Sequence, residues 1–298
     1  MGQKTDLNVS PYHDDFDETD NFHRVLYRPS FAVQARELTT QQSILQNQIE
    51  RMGRHIFKEG AIIIPGEVGY IDEYYAVKLQ STFNGVSITS NASSYVDTII
   101  TGTTSGVRAQ VIGQTAADST DPLTLFVKYI KPSDADQETQ TFTDGENIKS
   151  DTAIGTFSIN QESAVLQASD ATATGSAAYA NAGVYFIRGH FIRSTTQRIV
   201  LDKYTNTPSY RIGFAITENL ITPEGDTSLL DNATGSSNVN AKGAHRLNYA
   251  LTLSKLSLTS TADTNFVELM RVSNGTVQSK ARPTEYSVLG DNLARRTY

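Results

Sequence analysis

The chain has 298 residues, a formal net charge of −7 and no cysteine. That length allows roughly two domains, each able to bury a core of its own. The basic residues are scattered along an acidic chain, so the basic face needed to bind nucleic acid is missing, and nucleic acid is excluded as a partner.

Without cysteine there is no disulfide scaffold, no thiol nucleophile and no cysteine-bound zinc or iron–sulfur centre. The opening "MGQKTDLNVS" lacks the apolar segment of a signal peptide. No apolar run approaches the ~20 residues of a membrane span. The expectation is a soluble chain without membrane insertion, not exported by the usual route.

Residues 1–34 read as an extended acidic docking arm. The stretch "YHDDFDETDNFH" holds Asp14, Asp15, Asp17, Glu18 and Asp20, punctuated by Tyr12, Phe16 and Phe22. Pro29 favours extended backbone at Arg28. The carboxylates lack the loop spacing of an EF-hand, so no metal site is assigned. The arm is either solvated or laid against basic groups of a partner. Tyr12, Asp14, Asp15, Phe16, Asp17 and Phe22 are its expected docking residues.

Residues 35–60 read as a helix, clearest over 38–57, "LTTQQSILQNQIERMGRHIF". Thr39 and Gln42 have the spacing of a capping box, and Gly60 is a C-terminal stop. Leu38, Gln42, Leu45, Ile49, Met52 and Ile56 recur at the 4-3-4-3-4 steps of a heptad. Two readings stay open. The stripe covers a face of the chain's own sheet, or it forms a short coiled coil between identical chains. In the second, these six residues are the oligomer interface, and the Ile/Leu arrangement leans toward two strands.

Beyond Gly60 the period changes to two. Residues 61–82 and 161–298 are expected to form a β-rich main domain, its first strands broken at Pro65-Gly66. Residues 83–160 carry short β-branched and aromatic runs such as "GVRAQVIG" and "LTLFVKYI", bounded by Gly, Asn, Asp and Ser. They predict an inserted small β domain, a barrel or sandwich. "QASDATATGSAAYANAG", 167–183, reads as a flexible loop. The long turn-rich stretch 222–246 reads as functional or docked on a partner. The fold class is mainly β: an arm and one α-helix, then antiparallel β modules.

No catalytic constellation stands out. The histidines His13, His23, His55, His190 and His245 form no H-E-x-x-H pair. "GTTSGVR", 102–108, lacks the GK[ST] ending of a phosphate loop and reads as a hairpin turn. No G-x-S-x-G elbow occurs. Asp202, Glu218, Glu224, Asp226 and Asp231 are carboxylates of the type a glycoside hydrolase pairs. Among 32 acidic residues such pairs by type carry no information. Tyr74, Tyr75, Tyr179, Tyr185 and Tyr204 fit a sugar platform or ordinary strand packing. No catalytic residue, metal ligand or cofactor is assigned, and an enzyme is not expected.

Two long stretches carry a resemblance. They are "YHDDFDETDNFHRVLYRPSFAVQARELTTQQSILQNQIERMGRHIFKEGAII", 12–63, and "TPSYRIGFAITENLITPEGDTSLLDNATGSSNVNAKGAHRLNYALTLSKL", 207–256, followed by "YSVLGDNLARRTY". Together they resemble virion structural proteins of contractile-tailed phages, especially phages of marine cyanobacteria, a family described chiefly as a domain of unknown function. The middle, with "TGTTSGVRAQV", is similar only to small β modules of phage tail proteins. The resemblance implies a non-enzymatic tail baseplate or tail-fibre attachment component, located in the virion tail and made in the host cytoplasm. Its implied partners are itself, as a homotrimer by analogy with fibres, and other tail or baseplate proteins. The alternative it leaves is a receptor- or glycan-binding tail module contacting a host surface glycan, with a polysaccharide depolymerase ranked last. The abrupt end at Tyr298 fits a chain continuing into a longer fibre.

Overall fold

The computed structural model describes residues 2–64, 66–233, 235–282 and 287–297. Pro65, Thr234 in the long loop, Tyr286 and Tyr298 lie outside the described residues. Helix α1 spans Ala35–Ile56. It begins earlier than the Thr39–Gln42 spacing suggests, because the Glu37 carboxylate accepts from the backbone N–H of Gln34 at 2.9 Å. The Thr39 hydroxyl instead donates to the Ala35 carbonyl inside the helix.

The first strands are β1 (Ala61–Ile64), β2 (Val68–Lys78), β3 (Thr82–Phe83) and β4 (Val86–Ser87). Within the middle segment follow β5 (Ile99–Gly102), β6 (Arg108–Thr115), β7 (Thr124–Lys131) and β8 (Asn147–Ser150). Then come β9 (Glu162–Val165), β10 (Thr172–Ala180), β11 (Gly183–Ile187), β12 (His190–Ser194) and β13 (Gln197–Asp202). The last are β14 (Tyr210–Ile221), β15 (Arg246–Ser257), β16 (Phe266–Ser273) and β17 (Thr276–Lys280). A second helix, α2 (Ser287–Thr297), was not expected from the sequence. Its "SVLGDN" opening carries a helix-weakening glycine.

Every strand pairing is antiparallel. One sheet runs β13-β10-β2-β7-β6-β5-β8-β9, a second β15-β14-β16-β17 and a third β1-β11-β12. The mainly β class is therefore observed, with an arm and an N-terminal helix ahead of it. The small-barrel alternative is not: the long sheet curls until Leu166, just past β9, bridges Leu79, just past β2, but it does not close into a barrel.

The flexible-loop reading of 167–183 is overturned. Residues 172–180 are β10, hydrogen-bonded to β2 on one side and β13 on the other. Ala177, Ala178 and Ala180 are fully buried there. A side chain at Gly175 would meet the Lys203 carbonyl at 2.5 Å. The composition is small because neighbouring chain leaves no room, not because the segment is unstructured.

Two main cores result. Tyr95, Ile100, Val111, Leu125 and Ile148 fill the middle segment, together with Val77, Leu79, Ala164 and Leu166 from outside 83–160. Tyr95 is wholly buried and its hydroxyl donates to Ser163 Oγ at 2.9 Å. Left unpaired, that hydroxyl would cost about 1–3 kcal/mol. The middle segment also shares a sheet with the rest, since β2 pairs with β7 from Tyr75↔Val127 to Lys78↔Thr124. The second core joins the β11–β12 hairpin to the four-stranded sheet, with Tyr185 edge-on to Phe214 at 4.8 Å.

Candidate assembly interface

Helix α1 lies on the β11–β12 hairpin, and it does so with its polar, small-residue face. Gly53 is where it comes closest: a Cβ there would sit 2.5 Å from the Phe186 ring. Phe57, just past the helix, packs 5.7 Å from Phe186 and 5.9 Å from Phe191. Gln46 donates from its amide to the Gly189 carbonyl at 3.0 Å. Ile44 and Gly53 are the buried residues of the helix.

The apolar stripe points the other way. Leu38 is 50% exposed, Leu45 56%, Ile49 48% and Met52 68%. Gln42 is exposed too, and Ile56 is half-buried. The helix therefore packs on its own chain, but not through the stripe, which is the reverse of the arrangement expected of an amphipathic helix covering its own sheet.

The arm runs back over α1 and answers most of its own charges. Asp14 is buried and accepts from the Ser43 hydroxyl. Asp15 accepts from Thr40 at 3.0 Å and pairs with Arg36. Asp17 caps a short 3-10 turn at Glu18–Asp20, and the Thr19 hydroxyl and amide hold its carboxyl below the usual range. Glu18 pairs with Arg51. The Tyr12 hydroxyl meets His245 Nδ1 at 2.7 Å, which ties the arm to the end of the 222–246 loop. Phe16 is half-buried. Of the six expected docking residues, Asp15, Asp17 and Phe22 are exposed, and Phe22, at 66%, is the apolar one. Leu26, Phe31 and Val33 continue this apolar exposure up to the start of α1.

Upstream, the first residues reach a buried ion pair that sequence reasoning missed. Arg188 pairs with Glu218, their side chains only 4% and 6% exposed. Arg188 also donates to the Thr264 carbonyl at 3.0 Å and to Asn265 Oδ1 at 2.8 Å. Glu218 accepts from the backbone N–H groups of Lys4 and Thr5 and, at 2.6 Å, from the Thr5 hydroxyl. Burial alone would raise the Glu218 carboxyl; the Thr5, Lys4 and Arg188 donors hold it below its ordinary value. Arg188 occupies the two-residue β11–β12 turn at φ 53°, followed by Gly189 at φ 80°. Both central residues of a type I′ turn need positive φ. The "RG" between two apolar runs was the available signal.

Beside this pair, His190 Nε2 lies 3.1 Å from the Tyr249 hydroxyl. Burial pushes His190 below its ordinary value, against the opposing pull of Glu50 and Glu218. A cleft of about 520 Å³ opens between the end of α1 and the four-stranded sheet, lined by Phe57, Phe186, Phe266, Arg54, Arg188 and Asp263. Its named charges are paired: Arg54 with Glu50, Arg188 with Glu218, Asp263 with Arg211.

The remaining candidates do not converge. Tyr74 and Tyr185 are buried, and Tyr75, Tyr179 and Tyr204 half-buried, so they present no open platform. Asp202 accepts from Tyr210, Glu224 pairs with Lys242, and Asp226 and Asp231 accept backbone N–H groups of their own loop. In the 102–108 turn, the Thr104 and Ser105 N–H groups are taken by the buried carboxylate of Glu146. A phosphate would find that cradle filled. Among the described residues, no three His, Asp or Glu side chains converge on a metal position. No described helix is long and apolar enough to cross a membrane.

The architecture defines a mainly antiparallel β protein with a helix and an extended arm at its N-terminal side. A family model described as Domain of unknown function (DUF4815) matches residues 10–83 and 149–298, and the chain belongs to that family. No curated protein and no solved structure matches it.

Proposed function

We propose that this chain is a non-enzymatic structural component of a contractile phage tail, at the baseplate or at a tail-fibre attachment. In this reading it associates with copies of itself through α1 and with neighbouring tail proteins. The resemblance of 12–63 and 207–256 to virion structural proteins supplies the setting. The observation that carries the reading is the heptad stripe of α1 turned away from the chain's own body. Leu38, Leu45, Ile49 and Met52, with Phe22, Leu26, Phe31 and Val33, are each about half exposed or more. An apolar helix face left open to water is the kind of surface a partner covers. Three copies are proposed from fibre analogy, against the two that Ile and Leu at these positions favour.

The test of the setting is antibody labelling of purified particles of the phage that encodes the chain, viewed by electron microscopy. Label at the tail is expected. Particles free of the protein would overturn the reading.

A further inference from the structure

The groove that receives the first residues is a built peptide site. Its floor is the Arg188–Glu218 pair with Asn265, drawn from the β11–β12 turn, from β14 and from the residue just before β16. Two consecutive backbone N–H groups, those of Lys4 and Thr5, and the Thr5 hydroxyl converge on one carboxylate. The Lys4 ammonium reaches Asn265 Oδ1 at 3.1 Å. Gly2 passes so close to Glu50 of α1 that a Cβ there would sit 2.9 Å from the carboxylate. The ligand class is thus an extended peptide with a small hydroxyl residue after a lysine.

Between this anchored segment and α1 runs a linker, 21–34, that little holds in place. Phe22, Leu26, Phe31 and Val33 are exposed along it. The Tyr27 hydroxyl ties it to α1 by donating to Gln41 Oε1 at 2.7 Å. Asn21 and Ser30 both adopt positive φ, at 55° and 68°. Such non-glycine positions are where a chain can redirect. The linker leads directly into the helix whose exposed stripe faces outward, so copies meeting along α1 would meet at the linker too.

We infer that the Arg188–Glu218–Asn265 site receives the N-terminal segment of a neighbouring copy, so that arms are exchanged between chains in the assembly. The inference rests on the self-association through α1 proposed above. The hydrogen bonds at the site are identical whichever copy supplies the segment, so exchange gives up no contact there. Once copies are held along α1, a neighbour's arm competes at high effective concentration. Exchange also covers the apolar linker, which a single chain leaves in water.

The test uses the whole chain, whose lack of cysteine leaves an introduced pair as its only thiols. Asp6→Cys and Thr264→Cys flank the site and spare Lys4, Thr5, Arg188, Glu218 and Asn265. The assembled double variant is treated with a short bismaleimide and run on a denaturing gel. A parallel sample is weighed by light scattering. Oligomer by scattering with interchain products on the gel is expected. Oligomer with intrachain product alone overturns exchange and leaves the α1 interface standing. A folded oligomer that does not cross-link shows the site unoccupied and also overturns exchange. A monomer overturns the α1 reading, and exchange with it.

Discussion

At the residue scale, the buried Arg188–Glu218 pair fixes where arm, hairpin and four-stranded sheet meet. A buried ion pair contributes little net stability when intact, but removing one partner strands the other. Arg188→Ala leaves Glu218 with its side chain 6% exposed and without its ion-pair partner. The expected loss is about 3–5 kcal/mol, read by urea unfolding. A change under about 1 kcal/mol would mean water already reaches the carboxylate. His190 gives a pH term of known sign. Its folded value lies below the ordinary 6.5 because of burial, so the unfolded chain takes up the proton first. Its contribution is fully present above about pH 6.5 and is lost as pH falls below it. Glu50 and Glu218 temper the effect, and the Tyr249 hydroxyl lies 3.1 Å from Nε2. The melting temperature should fall between about pH 7 and pH 5, and His190→Phe should flatten that dependence. An unchanged slope in the variant would assign the acid sensitivity elsewhere.

At the element scale, α1 is held by close approach rather than by its apolar stripe. Gly53→Ala improves intrinsic helix propensity by about 1 kcal/mol. The new methyl, however, would meet the Phe186 ring at 2.5 Å, and that ring is wedged against Phe57 and Phe191. Overpacking of this kind costs about 1–3 kcal/mol. The variant should be less stable in chemical denaturation despite the better helix former. Greater stability would mean that α1 does not press on the hairpin. Existence of the helix and its heptad stripe were legible from spacing alone. Which face turned inward was not, because the buried side carries a single large apolar residue, Ile44, among Gly53, Ser43 and Gln46, and Ile44 stands outside the heptad stripe. β10 was hidden for a related reason: its alanines and glycine match a linker in composition, and only the strands on either side reveal why they are small. The arm's acidity was legible, but its partner, the Arg36, Ser43, Thr40 and Arg51 surface of its own helix, depends on tertiary placement.

At the scale of the whole molecule, two stretches belong to the family and the segment between them, 84–148, falls outside the match. The strand exits of that segment lie side by side: Gln80 N–H donates to the Val165 carbonyl, and Gln167 N–H to the Lys78 carbonyl. Replacing 84–160 with a short turn, which removes that segment together with 149–160 of the matched stretch, should therefore leave a folded body that still associates through α1. The loss of the β2–β7 ladder would lower its stability, and circular dichroism with thermal melting would read both. An unfolded product would make the middle segment part of one indivisible core.

The account turns on whether the α1 stripe joins copies. The most direct measurement is the light-scattering mass of the intact chain over a dilution series, beside Leu45→Glu/Ile49→Glu. Both positions are about half exposed, so the charges should leave each chain folded. The account predicts a wild-type oligomer of fixed mass and a folded monomer for the double variant. A wild-type monomer at every concentration, or an oligomer indifferent to the two charges, would contradict it.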